Sequence, residues 1–382
     1  MYHFPLLDSI NFLRNAFKEY FTGEKRIYAD QLNRREIGFI PFNGTMTRHM
    51  ALKDKGELER FLTGTVPRHL YHSLAFYDDP ANRSMQAKIW RGAEFVFDLD
   101  ADHIENAANM SYEDILAEVK KHTQRLIDKF LMGYLSLDAD SLKLLFSGGR
   151  GYHIHINTDS YYSMNSDQRR EISNLVRGEG ITTATFLQMI ITTGIIGMGW
   201  FSEIDLTFRN EILKILSGNP SEIIGTEKSQ ELQAALNEKL KSKKFKSKAE
   251  AYTLGGGGSV IYRYMNGLER EILDHIVDRT LKNNACEIDE PVSTDIHRLI
   301  RFPYSLHGKT GLVVKPIKLD NLKDFIPLID GVHDFGNNLV KIVLPKKFKI
   351  NFQDSEYDME DRVDVPYPLA VFMVSSGRAK LE

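Results

Sequence analysis

The clearest pattern along the chain is an alternation of apolar and polar residues over 94–102. Phe97 and Leu99 alternate there with Asp98 and Asp100. Successive side chains of a strand point to opposite faces, so the pattern predicts a strand with one buried face and both aspartates on the other. Carboxylates this close repel each other, and a bound divalent cation relieves the repulsion. The segment therefore predicts a candidate metal site, and its alternative is an edge strand with solvated carboxylates.

Helical periodicity appears in three further stretches. Apolar residues over 6–21 recur at helical spacing, which predicts an opening amphipathic helix. Ser111 can cap a second helix, and the apolar stripe over 115–130 predicts that one face of it is buried. A third helix is predicted over 166–177, with a polar cap before it and glycines after it.

These helices and the strands between them predict an α/β fold. At 382 residues the chain exceeds what one hydrophobic core usually serves. We therefore expect a main domain of residues 1–168 and 276–382, with a mixed sheet flanked by helices, and a mainly helical insertion at 169–275. Within the insertion, the Gly-Gly-Gly-Gly-Ser run at 255–259 is typical of a flexible linker, natural or engineered.

Composition and charge exclude several classes of protein. The net charge of -3 argues against a protein that coats nucleic acid along its whole surface, although a local basic groove is compatible with it. The single cysteine, Cys286, excludes an intramolecular disulfide framework and any multi-cysteine zinc or iron–sulfur site in this chain. No signal-peptide pattern begins the sequence, and the most apolar run, 189–201, is too short to span a bilayer. We expect an intracellular, cytoplasmic protein with no membrane role.

A glycine-rich turn at 147–151 separates two further predicted strands. Glycines allow backbone N–H groups to point into one small concavity, where an anion can bind. Ser147 and Arg150 can add a hydroxyl and a bidentate contact to a phosphate, and His153 follows on the second strand. The alternative is an ordinary hairpin turn with core histidines. A P-loop is excluded because no Gly-Lys-Ser/Thr follows at the required spacing.

The block 286–311 combines carboxylates with cations. Ser293 or Thr294 is predicted to cap a short helix, which makes Asp295 a first-turn residue that favours the helix dipole. Asp289 has no such structural role and is free to bind a metal. The cations that follow it are suited to a triphosphate, and their alternative is a charged surface: Arg298, Arg301, His307 and Lys309.

Five blocks in this order resemble the small catalytic subunit of archaeo-eukaryotic DNA primase, in its archaeal form. They are REIGF at 35–39, VPRHLYHS at 66–73, FDLDADH at 97–103, SGGRGYHIHI at 147–156 and DEPVSTDIHRLIRFPYSLHGKTGL at 289–312. The C-terminal PLAVFMVSSGRAKLE is also similar to the ending of that family. The resemblance implies the fold of a primase catalytic domain with an inserted helical subdomain.

The resemblance also implies roles for individual residues. Asp98, Asp100 and Asp289 match the catalytic aspartates that bind Mg²⁺ or Mn²⁺. Glu36 and Arg48 match an acidic and a basic position linked to activity. The positions implied to bind the incoming nucleotide are Ser147, Arg150, His153, Arg301, His307 and Lys309.

The implied activity is that of a nucleotidyltransferase which synthesises short primers from nucleoside triphosphates on single-stranded DNA. By resemblance, the chain works in the replication machinery of the nucleoid as a heterodimer with the primase large subunit, which carries an iron–sulfur cluster. Many relatives have a small zinc-binding knob after the aspartate strand, but residues 104–135 contain no cysteine, so no zinc is expected here.

Three alternatives to this function remain open from the sequence. One is a primer-extending or repair polymerase of the same superfamily. Another is a metal-dependent glycosyltransferase, because a D-x-D pair also binds nucleotide sugars in such enzymes. The third is a degenerate subunit that binds DNA without catalysis.

Overall fold

The computed structural model describes residues 7–103, 107–193, 198–243, 246–247, 262, 265, 267–336 and 338–382. The chain forms two compact units, one of residues 1–128, 136–173 and 287–382 and the other of residues 129–135 and 174–286. The division predicted from the sequence, with an insertion at 169–275, stays a prediction. The glycine-rich run at 255–259 lies outside the described residues.

Two four-stranded sheets form the centre of the first unit, in the orders β2-β1-β3-β9 and β10-β7-β8-β6. Smaller sheets have the orders β14-β11-β15, β12-β13 and β4-β5. The strands are β1 (Ile37–Ile40), β2 (Thr47–Met50), β3 (His69–Ser73), β4 (Ala75–Tyr77), β5 (Trp90–Ala93), β6 (Phe95–Asp100), β7 (Leu142–Phe146), β8 (Gly151–Ile156), β9 (Leu299–Arg301), β10 (Lys315–Ile317), β11 (Leu339–Val343), β12 (Phe348–Phe352), β13 (Ser355–Met359), β14 (Arg362–Pro366) and β15 (Lys380–Leu381).

The predicted α/β class is confirmed. The expected mixed sheet is corrected in one detail, because every strand pair in the described ranges is antiparallel. Short turns join β1 to β2 and β7 to β8 directly, and such hairpins can only produce antiparallel neighbours.

The helices flank these sheets in the first unit and form most of the second. Their bounds are α1 (Leu7–Gly23), α2 (Lys55–Thr65), α3 (Tyr112–Arg125), α4 (Asp159–Tyr162), α5 (Ser166–Arg177), α6 (Thr183–Thr193), α7 (Trp200–Leu216), α8 (Gly225–Leu240), α9 (Gly267–Asn284), α10 (Glu290–Thr294), α11 (Pro327–Asp330) and α12 (Tyr367–Ser375). No helix in the described ranges is long and apolar enough to cross a membrane.

Local capping explains where the predicted helices begin. The hydroxyl of Ser111 accepts the backbone N–H of Asp114 at 3.1 Å, which starts α3 as predicted. Asn165 and Gln168 exchange backbone N–H to side-chain oxygen bonds of 2.9 and 3.0 Å at the start of α5, a reciprocal cap. The apolar stripe predicted over 115–130 is buried as expected, although α3 ends at Arg125 and a π-helical segment, Leu126–Tyr134, continues the chain.

The core of the first unit is built around β6. Phe95, Phe97 and Leu99 are almost completely buried, as the alternation predicts. β6 is the last strand of its sheet, but α10 packs against its outer side. The Ser293 hydroxyl of α10 donates to the Val96 carbonyl oxygen of β6 at 2.8 Å. The edge is therefore not open to water, and the alternative of a solvated edge strand does not apply.

The second unit has a helical core of its own. Its buried apolar side chains come from α6, α7, α8 and α9, and the largest cluster includes Phe186, Ile204, Phe208, Leu232 and Ile276. Helices that bury one apolar stripe against each other in this way form a stable bundle without a sheet.

Candidate active site

Asp98 and Asp100 lie on the polar face of β6, as predicted. In the antiparallel register, Asp98 is opposite His153 and Asp100 is opposite Gly151 of β8. The imidazole Nε2 of His153 lies 3.6 Å from Oδ1 of Asp98. The two aspartates therefore lie beside the strand that follows the glycine turn, which places both predicted clusters at one end of the sheet.

Asp289 reaches this end of the sheet from the beginning of α10. Its backbone N–H donates to the carbonyl oxygen of Asp98 at 2.8 Å, so the segment before α10 is attached to β6. Asp289 is the N-cap residue of the helix, but its carboxylate makes no capping hydrogen bond. The structure thus attaches the segment of the third predicted carboxylate to the strand of the first two, with the Arg298 guanidinium 4.0 Å from Oδ2 of Asp289.

The short helix predicted to begin after a Ser293 or Thr294 cap begins earlier in the structure, so its predicted position is wrong. α10 starts at Glu290 because Pro291 occupies its first turn, where the fixed φ of proline suits a helix and its missing N–H costs nothing. Asp295 is consequently the C-cap and not a first-turn residue. Its Oδ1 accepts the backbone N–H of His297 at 2.9 Å, which gives it a turn-forming role instead of a favourable interaction with the helix dipole.

The electrostatics of the three carboxylates favour a cation. Burial, together with the charges of Asp100 and Asp289, raises the pKa of Asp98 to about 7. Oδ1 of Asp100 is buried and accepts no hydrogen bond. Hard oxygen donors of this kind are what Mg²⁺ and Mn²⁺ prefer. No three acidic, histidine or cysteine side chains in the described part of the chain form a ready-made metal site, so the fit rests on charge and donor type.

The turn between β7 and β8 needs glycine for steric reasons. Gly148 has a φ of +73°, and a Cβ atom there would lie 2.7 Å from the Cβ of His307. A Cβ atom on Gly151 would lie 2.0 Å from the carbonyl oxygen of Leu99. The hydroxyl of Thr310 donates to the Gly148 carbonyl oxygen at 2.5 Å, which fixes the turn against the block that contains His307. Two distant sequence blocks therefore form one wall.

The cations of this wall are held in place by polar neighbours. Arg150 contacts Asp102 at 2.5 Å and Asp100 at 3.6 Å. Nη1 of Arg301 donates to Nδ1 of His69 at 2.6 Å, and its guanidinium lies 4.7 Å from the centre of the Tyr71 ring. Such contacts limit side-chain motion, so the guanidinium groups are oriented before any anion binds.

Two histidines of the wall are electrically neutral. Burial, and then the charges of nearby basic groups, holds the pKa of His307 well below its ordinary value. Burial likewise lowers the pKa of His153. A neutral imidazole still has one N–H donor, so each ring can bind an oxygen atom without adding a charge beside the aspartates.

A cavity of about 450 Å³ lies between Asp98, Asp100 and these cations, and Asp289 is not among the residues that line it. All six residues predicted to bind the nucleotide line it, together with Asp98 and Asp100. The polar and charged side chains of the lining include Asp98, Asp100, Ser147, Arg150, His153, Arg301, His307, Lys309 and Arg378.

Comparison with known proteins shows the family of the chain. A family model described as DNA primase small subunit matches residues 97–319. A curated relative from Picrophilus torridus, named DNA primase small subunit PriS, is 36% identical over 94% of this chain and 95% of its own length. The chain belongs to the DNA primase small subunit family. Relatives of the same name are 34% identical in Thermoplasma volcanium, over 96% of each chain, and 30% identical in Methanothrix thermoacetophila, over 97% of this chain and 98% of the relative.

The family membership inferred from the five blocks is thereby confirmed. The primase family model covers the aspartate strand, the glycine turn and the block 289–312. The blocks at 35–39 and 66–73 precede the matched range, but the pairwise matches to the primase relatives extend over nearly the whole chain.

Glu36 and Arg48 lie apart from the residues that line the cavity. Both carboxylate oxygens of Glu36 are bonded, one to Arg48 at 3.0 Å and the other to the fully buried Lys88 at 2.6 Å. Burial opposes ionisation of Glu36, but the hydrogen bonds from Arg48 and Lys88 outweigh it and lower the pKa. The pair linked to activity by resemblance is thus part of an ion cluster in which Glu36 is buried and Arg48 is exposed, and its buried member Lys88 was not predicted.

Sequence reasoning also missed residues that line the primase cavity. Tyr112 donates its hydroxyl to the Gly149 carbonyl oxygen at 2.6 Å, and Arg378 comes from the segment after α12. Tyr112 begins the amphipathic α3 and Arg378 lies in a short polar turn, so neither has a distinctive local pattern. The only available signal for Arg378 was the family-like ending in which it occurs.

Proposed function

We propose that this protein is a DNA primase catalytic subunit that joins nucleoside triphosphates into short primers on single-stranded DNA. The observation that carries the proposal is the presence of carboxylates and cations in one cavity. Asp98 and Asp100 line it together with Arg150, Arg301 and Lys309. A site for nucleotidyl transfer requires this combination, because a divalent cation and a triphosphate must bind next to each other.

Asp98, Asp100 and Asp289 are the residues that would hold Mg²⁺ or Mn²⁺. The raised pKa of Asp98 supports this role, since burial and then the like charges of Asp100 and Asp289 raise it, and a cation would compensate those charges. When bound, such ions activate the 3′-hydroxyl and stabilise the charge of the pyrophosphate leaving group. The enzyme would accordingly be a metal-dependent nucleotidyltransferase.

The remaining residues would bind and orient the triphosphate. The Ser147 hydroxyl and the backbone N–H groups of the glycine turn would donate hydrogen bonds to phosphate oxygens at one end of the cavity. Arg150 and Arg301 would supply fixed guanidinium donors, and the neutral His153 and His307 would donate without competing for the cation. The reaction is a direct displacement at phosphorus, so no side chain needs to become covalently attached.

Partners follow from the same proposal. Single-stranded DNA would supply the template, and the primase large subunit would complete initiation as the second member of a heterodimer. An iron–sulfur cluster requires several cysteine ligands, and Cys286 is the single cysteine of this chain. The cluster expected in a primase would therefore belong to the large subunit.

Unprimed synthesis tests the proposal most directly. The full chain is incubated with single-stranded DNA, labelled ribo- or deoxynucleoside triphosphates and Mg²⁺ or Mn²⁺, with and without the large subunit. We expect products that start from two free nucleotides, and their loss in Asp98→Asn. Asp358→Asn, on the exposed hairpin β12–β13, serves as the matched control and should retain activity.

Three other outcomes would contradict the proposal. Synthesis only from an annealed primer would indicate an extending or repair polymerase. Transfer from sugar nucleotides would indicate a glycosyltransferase. DNA binding without incorporation, by a folded protein supplied with the large subunit, would indicate a subunit that lacks catalysis.

A further inference from the structure

Arg378 is held in a defined place at the end of α12. Gly377 has a φ of +70°, the left-handed conformation in which helices commonly end. The backbone N–H groups of Arg378 and Ala379 both donate to the Met373 carbonyl oxygen, at 3.0 and 3.2 Å. The chain therefore turns back at this point, and the side chain of Arg378 lines the 450 Å³ cavity.

Three aromatic rings surround the guanidinium of Arg378. Its central carbon lies 5.1 Å from the ring centre of Phe348 and 5.7 Å from the ring centres of Tyr112 and Phe372. Tyr112 and Phe372 also pack edge to face, with their ring centres 5.6 Å apart. Aromatic faces attract a guanidinium and leave its N–H groups free to donate at the edge.

The charge of Arg378 is not balanced by a carboxylate, in contrast to the charges of Arg150 and Arg298 in the same cavity. Arg150 contacts Asp102, and Arg298 lies 4.0 Å from Asp289. Within the described ranges, the guanidinium of Arg378 has neither a carboxylate within 4.0 Å nor a hydrogen-bond acceptor. Glu113 is the carboxylate whose charge raises the pKa of Arg378, but its Oε1 already accepts the backbone N–H of Asn351 at 2.8 Å.

The aromatic support of Arg378 is connected to the glycine turn. Tyr112, whose ring faces the guanidinium, donates its hydroxyl to the Gly149 carbonyl oxygen at 2.6 Å. Arg378 and Arg150 are close enough for their charges to repel, which lowers the pKa of Arg378 further after the effect of burial. Two adjacent guanidinium groups that repel each other are stabilised when an anion binds between them.

We propose that Arg378 binds the triphosphate of the incoming nucleotide together with Arg150. This inference rests on the proposed function, and it assigns to the C-terminal turn a nucleotide-binding residue that lies outside the five sequence blocks. The position beside the glycine turn favours the nucleotide over the DNA backbone as the source of the phosphate.

The test compares Arg378→Met and Arg378→Lys with the wild-type full chain. Arg362→Met is the matched control, because Arg362 has the same charge but is exposed and pairs with Glu382 at 3.1 Å. Adenosine tri-, di- and monophosphate compete with a fluorescent triphosphate in Mg²⁺ buffer, and labelled single-stranded DNA is titrated separately without nucleotide. Circular dichroism and melting curves confirm that each variant is folded.

We expect Arg378→Met to weaken triphosphate binding about tenfold, the usual effect of removing one charge-assisted phosphate contact. Monophosphate and DNA affinity should change by less than about twofold, because the lost contact is to a distal phosphate. Arg378→Lys should weaken triphosphate binding about threefold, since a lysine keeps the charge without the planar donors. If Arg378→Met does not fold, the Arg378→Lys variant alone tests the proposal.

Several results would overturn the inference. Equal triphosphate binding by Arg378→Met and wild type would overturn it alone and leave the proposed function intact. An equal loss for mono- and triphosphate would show a structural role, and a loss confined to DNA would assign the residue to the template. Absence of triphosphate binding by the wild-type protein would overturn both proposals.

Discussion

Asp289 and Asp295 provide a matched test of the metal site, because they flank the same five-residue helix. Asp289 is its N-cap and Asp295 its C-cap, and both can be changed to asparagine without altering side-chain size. The carboxylate of Asp289 contributes to the raised pKa of Asp98, whereas Asp295 is exposed and bonds only locally, to the His297 N–H. We therefore expect Asp289→Asn to lower activity strongly and Asp295→Asn to change it little.

The expected magnitudes follow from these contacts. A metal ligand stabilises the transition state by several kcal/mol, and each 1.36 kcal/mol is about tenfold in rate, so Asp289→Asn should lower incorporation roughly a thousandfold. Its stability should change little, because the Asp289 side chain makes no capping bond and asparagine is an equally good N-cap. Asp295→Asn keeps the turn-forming oxygen and removes a negative charge from the unfavourable end of the helix dipole. Its activity should stay within about tenfold of wild type, and its melting temperature within about 2 °C.

The assay measures incorporation on single-stranded DNA over a Mn²⁺ titration, after circular dichroism has confirmed that both variants are folded. Loss of a carboxylate ligand should also raise the Mn²⁺ concentration that gives half-maximal incorporation. An inactive Asp295→Asn with a normally active Asp289→Asn would refute the reasoning, since it would place the third ligand at the other end of the helix.

Three further predictions concern binding and stability. Asp98→Asn should lose incorporation but keep measurable triphosphate affinity by equilibrium titration, because the cations come from separate blocks; complete loss of binding in the folded variant would disprove this separation. Burial, and then the charge of Arg35, lowers the pKa of His72 from 6.5 to about 3, so stability from this residue is present above pH 6.5 and is lost as the pH falls toward 3. The free energy of unfolding, measured with urea, should fall between pH 7.5 and pH 5.5 by about 1.4 kcal/mol less in His72→Gln than in wild type. An equal fall in both proteins would show that His72 titrates normally. Lys88→Met should cost about 3 kcal/mol of unfolding free energy, because it removes one partner from a buried pair with Glu36, whereas the exposed control Lys347→Met should leave the urea midpoint unchanged.

The parts of the fold that local chemistry determines were predictable. The alternation in β6 and the caps of α3 and α5 depend on residues within a few positions of each other. The glycine turn was predictable for the same reason, although its strict need for glycine depends on His307 and Leu99, which are distant in sequence. Local patterns of this kind survive in the structure because the tertiary contacts agree with them.

The start of α10 shows where local reasoning fails. Ser293 and Thr294 are good N-cap residues by type, but Pro291 is a better first-turn residue, and attachment of Asp289 to β6 starts the helix four to five residues earlier. The hydroxyl of Ser293, predicted as a cap, instead bonds the Val96 carbonyl oxygen. Arg378 and Lys88 were missed for a different reason, since a cation is identified as functional or structural only by the groups that the fold brings to it.

The charges in the cavity explain why the neutral histidines matter. Arg150 and Arg301 would neutralise the aspartates if they were free to move toward them, but Arg301 is bonded to His69 and Arg150 is bonded to Asp102. His153 lies opposite Asp98 in the sheet, and a protonated imidazole there would supply the charge that a metal ion should supply. Burial prevents that protonation, because a charged ring would lose its hydration without gaining a sufficient partner. Among the described residues, Asp98 therefore has only the neutral His153 as a partner and Arg301 has no carboxylate partner, which favours the binding of a divalent cation and a triphosphate side by side.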